Sequence, residues 1–176
     1  KVAVIGGGAA GFFAAISVKE NHPSHQVILF EKTSKVLSKV RISGGGRCNV
    51  THDCSDIPTL CDAYPRGGKK LKSIFYQFNI NDTVDWFKTR GIPLKTETDG
   101  RMFPITDNSQ SIIDCLESEI KHLNVTLKFG QTIKNIEQDE KEWKLNFKDQ
   151  PSQNFDFVIV ATGGSPKING FNWLKN

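Results

Sequence analysis

The chain has 176 residues, enough for one compact domain with a proper core, or a domain with a small appendage. Hydrophobic residues make up 38% and charged residues 24%, with the charges spread along the chain, which excludes a disordered polymer and points to a globular fold. The formal charge of +4 is mild, and no apolar run reaches the roughly 18–20 residues needed to cross a bilayer, so no membrane partner is expected.

Val2-Ala3-Val4-Ile5 is a short apolar run ending in glycine, the pattern of a parallel strand buried on both faces. A helix is predicted from about Ala9 to Glu20 with Phe12, Ala15 and Ile16 on one face, stopped by Asn21-His22-Pro23. Val27-Ile28-Leu29-Phe30 is a second buried strand, completing a βαβ unit. Because glycines follow the first strand at once, the start reads as core rather than signal peptide, and a cytoplasmic location is expected.

From Ser43 to Lys70 the composition is glycine-rich and polar, and a long loop is predicted. Lys69, Lys70 and Lys72 cluster at its end without interleaved aromatics, which reads as a solvated helix start, and no nucleic-acid partner is expected. Leu71, Ile74, Phe75, Phe78, Ile80, Val84 and Phe87 then fall at helical spacing, and Gly91 marks the C-terminal stop of this second helix. Asp99-Gly100 signals a hairpin, and Asn108 caps a helix carrying Ile113, Leu116, Ile120 and Leu123. Val125, Leu127 and Phe129 alternate with polar residues, as do Trp143, Leu145 and Phe147, and both runs read as half-buried antiparallel strands. Phe157 to Ala161 reads as a fully buried strand returning to the core.

Three constellations carry chemistry. Gly6-Gly7-Gly8-Ala9-Ala10-Gly11 fits G-x-G-x-x-G between a strand and a helix. In that pattern Gly6 permits the tight turn, Gly8 leaves room for a pyrophosphate, and Gly11 allows close helix–sheet contact. The helix start supplies free N–H groups and a positive dipole end. Glu31 follows the last glycine by 31 − 11 = 20 residues and closes the second strand, where a carboxylate accepts from ribose hydroxyls and repels a 2′-phosphate. FAD and NAD both fit this fingerprint. The second constellation, Ser43-Gly44-Gly45-Gly46-Arg47-Cys48-Asn49, joins backbone amides to a cation and an amide side chain. The third, Ala161-Thr162-Gly163-Gly164, lets the chain turn close beneath a ligand.

Cys48, Cys54, Cys61 and Cys115 show no C-x-x-C pair and no histidine at zinc spacing, so reduced thiols and no metal are expected. Cys48 reads as a packed loop thiol, and the four histidines form no acid/base constellation.

Taken together with Gly100-Arg101-Met102-Phe103-Pro104, these segments resemble the BaiN-type, aminoacetone-oxidase-like flavoproteins, the Gly-Gly-Gly-Arg-Cys-Asn segment being the most specific part. The resemblance covers nearly the whole chain. It implies a glutathione-reductase-like FAD-binding Rossmann domain over 1–176, α/β in class, with a parallel core sheet and an antiparallel β-meander. The cofactor-binding set it implies is Gly6, Gly8, Ala9, Ala10, Gly11, Glu31 and Lys32 for the ADP half, and Gly44, Gly45, Gly46, Arg47, Cys48 and Asn49 on the flavin side. Ile133 would meet adenine through its backbone, and Ala161, Thr162 and Gly163 would pass beside the cofactor.

The expected activity is that of an FAD-dependent oxidoreductase whose flavin accepts a hydride from a small-molecule substrate and is reoxidised by oxygen or NAD(P). Family members continue into an inserted substrate domain and a segment that closes the flavin pocket. This chain therefore reads as an N-terminal portion, inactive alone. Two alternatives are a non-catalytic flavin- or nucleotide-binding module and an NAD-dependent dehydrogenase, the latter disfavoured by the antiparallel strands.

Overall fold

The computed structural model describes residues 1–165 and 168–174. The chain forms two compact units, one of residues 1–39 and 116–176 and one of residues 40–115. The FAD-binding domain expected over 1–176 takes in both.

The first unit is built on β1 (Val2–Ile5), α1 (Ala9–Asn21) and β2 (Val27–Phe30). Both strands are fully buried, as their unbroken apolar runs require. They are flanked by β6 (Thr126–Lys128) and β10 (Phe157–Val160) in a four-stranded, wholly parallel sheet of order β10-β1-β2-β6. On one sheet face lies α1 with its Phe12, Ala15 and Ile16, all fully buried. The other face presents Ala3, Ile5, Ile28 and Phe30 to a cluster with Ile136, Leu145, Phe147 and Phe155. These last four come from a second sheet, the antiparallel meander of β7 (Ile133–Asp139), β8 (Glu142–Phe147) and β9 (Gln153–Phe155). Phe30 joins the layers, its ring 5.2 Å from Phe147 and 5.7 Å from Phe155. Burying one such side chain contributes about 1.5–3 kcal/mol.

Two sequence expectations change here. The alternation of Val125, Leu127 and Phe129 predicts an antiparallel strand, yet β6 pairs parallel with β2. The strand lies at the edge of its sheet, so one of its faces is wetter, and that produces the alternation an antiparallel strand would show. The apolar run of β10 predicts full burial, but it forms the opposite edge, with Phe157 60% and Val160 43% exposed.

The second unit holds three short antiparallel strands in the order β3-β5-β4: β3 (Thr51–His52), β4 (Leu94–Thr96) and β5 (Arg101–Pro104). The long loop expected over Ser43–Lys70 is broken up by a 3-10 turn at Ser43–Gly46, by β3 and by α3 (Ile57–Asp62). Asp56 caps α3, accepting from the Thr59 amide at 2.8 Å, and Pro58 suits its first turn. The single helix expected over 71–87 is two, α4 (Gly68–Phe75) and α5 (Ile80–Lys88). Asn79 separates them and starts the second through a capping box: its amide donates to Asp82 at 2.7 Å, and its side chain accepts from the Asn81 amide at 2.8 Å. Two further helices, α2 (Ser38–Ile42) after β2 and α6 (Ser109–His122) before β6, contain the points where the chain leaves the first unit and returns to it.

Candidate functional site

The parallel sheet fixes where a ligand can go. From β1 the chain passes to β2 on one side, while β10 pairs on the other, so the carboxyl end of β1 is a topological switch point. In open α/β sheets that point opens a crevice. Here a cleft of about 370 Å³ lies there, lined by Gly6, Glu31, Lys32, Ile133, Thr162 and Gly163 among others. Of the positions assigned from sequence to the ADP half and to the third glycine turn, Gly6, Glu31, Lys32, Thr162 and Gly163 line this cleft, while Gly8, Ala9, Ala10, Gly11 and Ala161 belong to the same unit without lining it.

The glycine turn is held in place by its neighbours. Gly6 has φ +114°, and a Cβ there would meet the Ala161 carbonyl oxygen at 2.5 Å. A methyl on Gly11 would collide with the Gly6 carbonyl oxygen and lie 3.3 Å from Leu29 Cδ1. Gly7 is closed by Val36 Cγ1 at 2.7 Å. Gly8, the N-cap residue of α1, has extended backbone (φ −93°, ψ −177°), and no heavy atom lies within 4 Å of where a methyl would stand. An open position at a helix start, with Ala9 and Ala10 exposed beside it, is the cradle that a pyrophosphate requires.

Glu31 is already oriented. One carboxylate oxygen, Oε2, accepts from the Gly7 amide at 2.8 Å; the other, Oε1, accepts from the Thr33 amide and hydroxyl, both at 2.8 Å. A carboxylate offers about four acceptor positions, so one stays open toward the cleft. The same side chain thus ties β2 to the glycine turn and presents negative charge where a ribose diol would lie. The residues present fit the adenosine and pyrophosphate of a dinucleotide.

Sequence reasoning misses part of this cleft. Gln131 and Thr132 line it just ahead of β7, with the Gln131 amide donating to the Glu31 carbonyl at 2.9 Å. Phe171 and Trp173, on the 3-10 segment Ile168–Leu174, form another wall. Nothing in residue type flags Gln131, and the aromatic pair is legible only as a chain end.

The residues assigned from sequence to the flavin side, Gly44 to Asn49, belong to the second unit. Gly44, Gly45 and Gly46 have φ of 55°, 69° and 87°, a left-handed run open to glycine and little else. The Arg47 guanidinium is directed at Glu97, at 2.5 and 3.4 Å, and at Asp107 at 3.5 Å, and it lies over the Phe103 ring at 4.0 Å. The Glu97 hydrogen bond, above all, pushes its pKa up, outweighing the opposing desolvation. A phosphate at Arg47 would compete with two carboxylates. Cys48 is buried, and desolvation raises its thiol pKa, with a hydrogen bond from Ser43 opposing. That is the packed loop thiol expected. The Asn49 amide nitrogen reaches the Thr51 carbonyl at 2.8 Å. All four cysteines are free thiols. No helix among the described residues is long and apolar enough to cross a membrane.

Residues 1–169 match the family described as HI0933-like protein Rossmann domain. The chain belongs to that family. It is an FAD-binding Rossmann domain, and its cofactor is FAD. It is 27% identical over 166 residues to the 3-dehydro-bile acid delta(4,6)-reductase of Clostridium scindens, covering 93% of this chain and 39% of that protein. It is 29% identical over 161 residues to the ribosomal RNA dihydrouridine synthase of Escherichia coli, covering 92% and 38%. The fold matches the open conformation of a flavocytochrome c3 fumarate reductase with a TM-score of 0.67 at 20% identity, over 93% of this chain and 33% of that one. The chain thus spans well under half the length of these relatives. The name of the E. coli relative does not fit the expectation that this protein has no nucleic-acid partner.

Proposed function

We propose that this HI0933-like domain is the FAD-binding part of a reductase that saturates a carbon–carbon double bond in a ring. The observations that carry the cofactor half of this reading are the cleft at the carboxyl end of β1, which Glu31 lines already oriented, and the open Gly8 position at the start of α1. FAD, when bound, would supply two-electron hydride chemistry, with NAD(P)H as the proposed reductant. The chain's own residues bind and orient. Amides at the α1 start, from Gly8 to Gly11, hold pyrophosphate oxygens, and Glu31 accepts from the ribose diol. Ile133, at the start of β7, borders the adenine, while Thr162 and Gly163 flank the cofactor. Gly44 to Asn49 line the flavin side, with Arg47 kept in place by Glu97 and Phe103.

The sequence suggests a flavin that accepts a hydride from a small substrate and passes it to oxygen or NAD(P). The names of the two relatives support the reductive direction: one reduces a 3-dehydro bile acid, and the other makes dihydrouridine. Each product carries added hydrogen in a ring. The substrate groups and the general acid are assigned to parts of the protein beyond this domain, and this segment alone is expected to turn nothing over.

The test is anaerobic. The flavin-loaded full-length protein is reduced by NAD(P)H, then mixed with a cyclic enone, with uridine-containing RNA, or with a saturated cyclic ketone. Return of the oxidised flavin spectrum with an unsaturated acceptor, and not with the ketone, supports the reading. Reoxidation only by oxygen would return the enzyme to the oxidase class.

A further inference from the structure

α4 is a cationic helix with a built inner face. Gly68 packs so closely on α3 that a methyl there would collide with the Cys61 carbonyl oxygen. Phe75 packs against the cluster of Leu60, Ile80 and Met102. Helical spacing then places Lys69, Lys72, Ser73 and Tyr76 on a stripe along one flank of the helix, with Lys70 opposite Gly68. All three lysines, and Arg66 in the preceding turn, are exposed.

These cations are not matched by acids. From Ala63 to Asn81 the chain has Arg66, Lys69, Lys70 and Lys72 and no aspartate or glutamate. Elsewhere in the same unit the pattern is different: Arg47 pairs with Glu97, Lys95 with Asp107, and Arg101 with Asp99. Among the described residues none of Arg66, Lys69, Lys70 and Lys72 has an ion-pair partner. Lys72 lowers the pKa of Asp56 only as the last of several causes, behind the Thr59 hydroxyl and amide, which occupy that carboxylate.

Aromatic rings flank the stripe. Tyr76 is 65% exposed at the end of α4, and Tyr64 is 44% exposed with its ring 5.6 Å from Phe75. No aromatics interleave with these lysines; Tyr64 and Tyr76 stand exposed at the two ends of the cationic segment. Unpaired cations tracking a backbone, with rings at the margin, are the elements of single-stranded nucleic-acid binding. A lipid surface would need an apolar face turned outward. Here the apolar residues Leu71 and Phe75 are half-buried, and Ile74 is the one aliphatic side chain of α4 that stands exposed.

We propose that the outer face of α4 docks single-stranded RNA, with Arg66, Lys69, Lys70 and Lys72 on phosphates and Tyr76 stacked on a base. This surface goes beyond the reductase reading and does not depend on it.

The test uses the flavin-loaded protein and a short fluorescein-labelled oligouridine, with anisotropy read from about 50 to about 200 mM salt. Binding should weaken with salt at a log–log slope of about −2 to −3, since each phosphate contact contributes about −0.7. Replacing Lys69→Gln, Lys70→Gln and Lys72→Gln together should cost about tenfold or more at low salt and flatten the slope by about 2. Tyr76→Ala should cost about fivefold or more with the slope unchanged. Lys141→Gln with Lys144→Gln, on the β7–β8 hairpin, is the control that should change little. Circular dichroism and the flavin spectrum check each variant, so loss of the cofactor is read separately from loss of RNA. No binding at low salt overturns the proposal. So does a triple variant, folded and flavin-loaded, that binds like the parent, or binding to phosphatidylserine vesicles in place of RNA.

Discussion

The two glycine clusters of this chain need glycine for different physical reasons. Around Gly6–Gly11 the demand is space: neighbours close Gly6, Gly7 and Gly11 against any side chain, and at Gly6 a φ of +114° adds to it. At Gly44–Gly46 the shared demand is handedness: all three have positive φ, and although Asn49 N and Phe103 also close Gly44, at 2.8 and 2.7 Å, Gly45 has open space where a Cβ would point. Gly8 alone in the two clusters has neither reason. Its φ is ordinary and its surroundings are empty. A glycine that meets no atom of the chain leaves open space at the start of α1, and that space is the physical basis for proposing the pyrophosphate there.

Substitutions can break or sharpen this contrast. The largest effect is expected for Gly11→Ala, since the collision is with backbone that cannot swing aside. Overpacking of this kind costs about 3 kcal/mol, and the thermal midpoint should fall by about 10 °C. A midpoint within a degree or two of the parent would mean the turn relaxes freely. A smaller loss is expected at Gly45, where the left-handed backbone costs a branched residue about 1–2 kcal/mol. Denaturant unfolding should therefore show Gly45→Val destabilised and Gly45→Asn close to the parent, because asparagine tolerates that region. Equal losses from both would show that space, not handedness, limits this cluster too.

The smallest effect concerns the charges that surround the second cluster. Asp107 is held below its ordinary 3.8 chiefly by the Lys95 hydrogen bond, and Asp99 by the Arg101 amide. A depressed folded pKa stabilises the fold above the unfolded value, and that stability is lost as pH falls through the lower folded one. Thermal midpoints should thus be flat above about pH 5 and decline below about pH 4, and Asp107→Asn should make that decline shallower. A decline that is just as steep in the variant would assign the acid sensitivity elsewhere.

Much of the first unit is legible in the sequence, because both its signals are local. Val2–Ile5 and Val27–Phe30 are unbroken apolar runs, and Gly6–Gly11 with Glu31 sits at the spacing the fold uses. What is not legible depends on neighbours. β6 reads as antiparallel because edge strands alternate, and β10 reads as buried although nothing pairs its outer edge among the described residues. The break between α4 and α5 is readable in principle, since Asn79 and Asp82 stand at capping-box spacing, but the apolar period runs through it and masks the cap. Asp56 with Pro58 likewise announces α3 within a stretch whose glycines suggest a loop. In the site, the position of Glu31 at the end of β2 is legible, and its proposed ribose role rests on that; its hold on the Gly7 amide needs the fold. The acids that claim Arg47 are 50 and 60 residues away in sequence, and no local pattern reveals them.

The most direct test of the central claim is an FAD titration of Gly8→Ala beside the parent, with thermal unfolding of both. A methyl at Gly8 meets no atom of the chain, so the midpoint should move by no more than about 4 °C, the cost of a poorer N-cap. FAD affinity should nonetheless fall by about tenfold or more, because the methyl would occupy the space given to the pyrophosphate. Unchanged FAD affinity would contradict the account and move the pyrophosphate away from the start of α1.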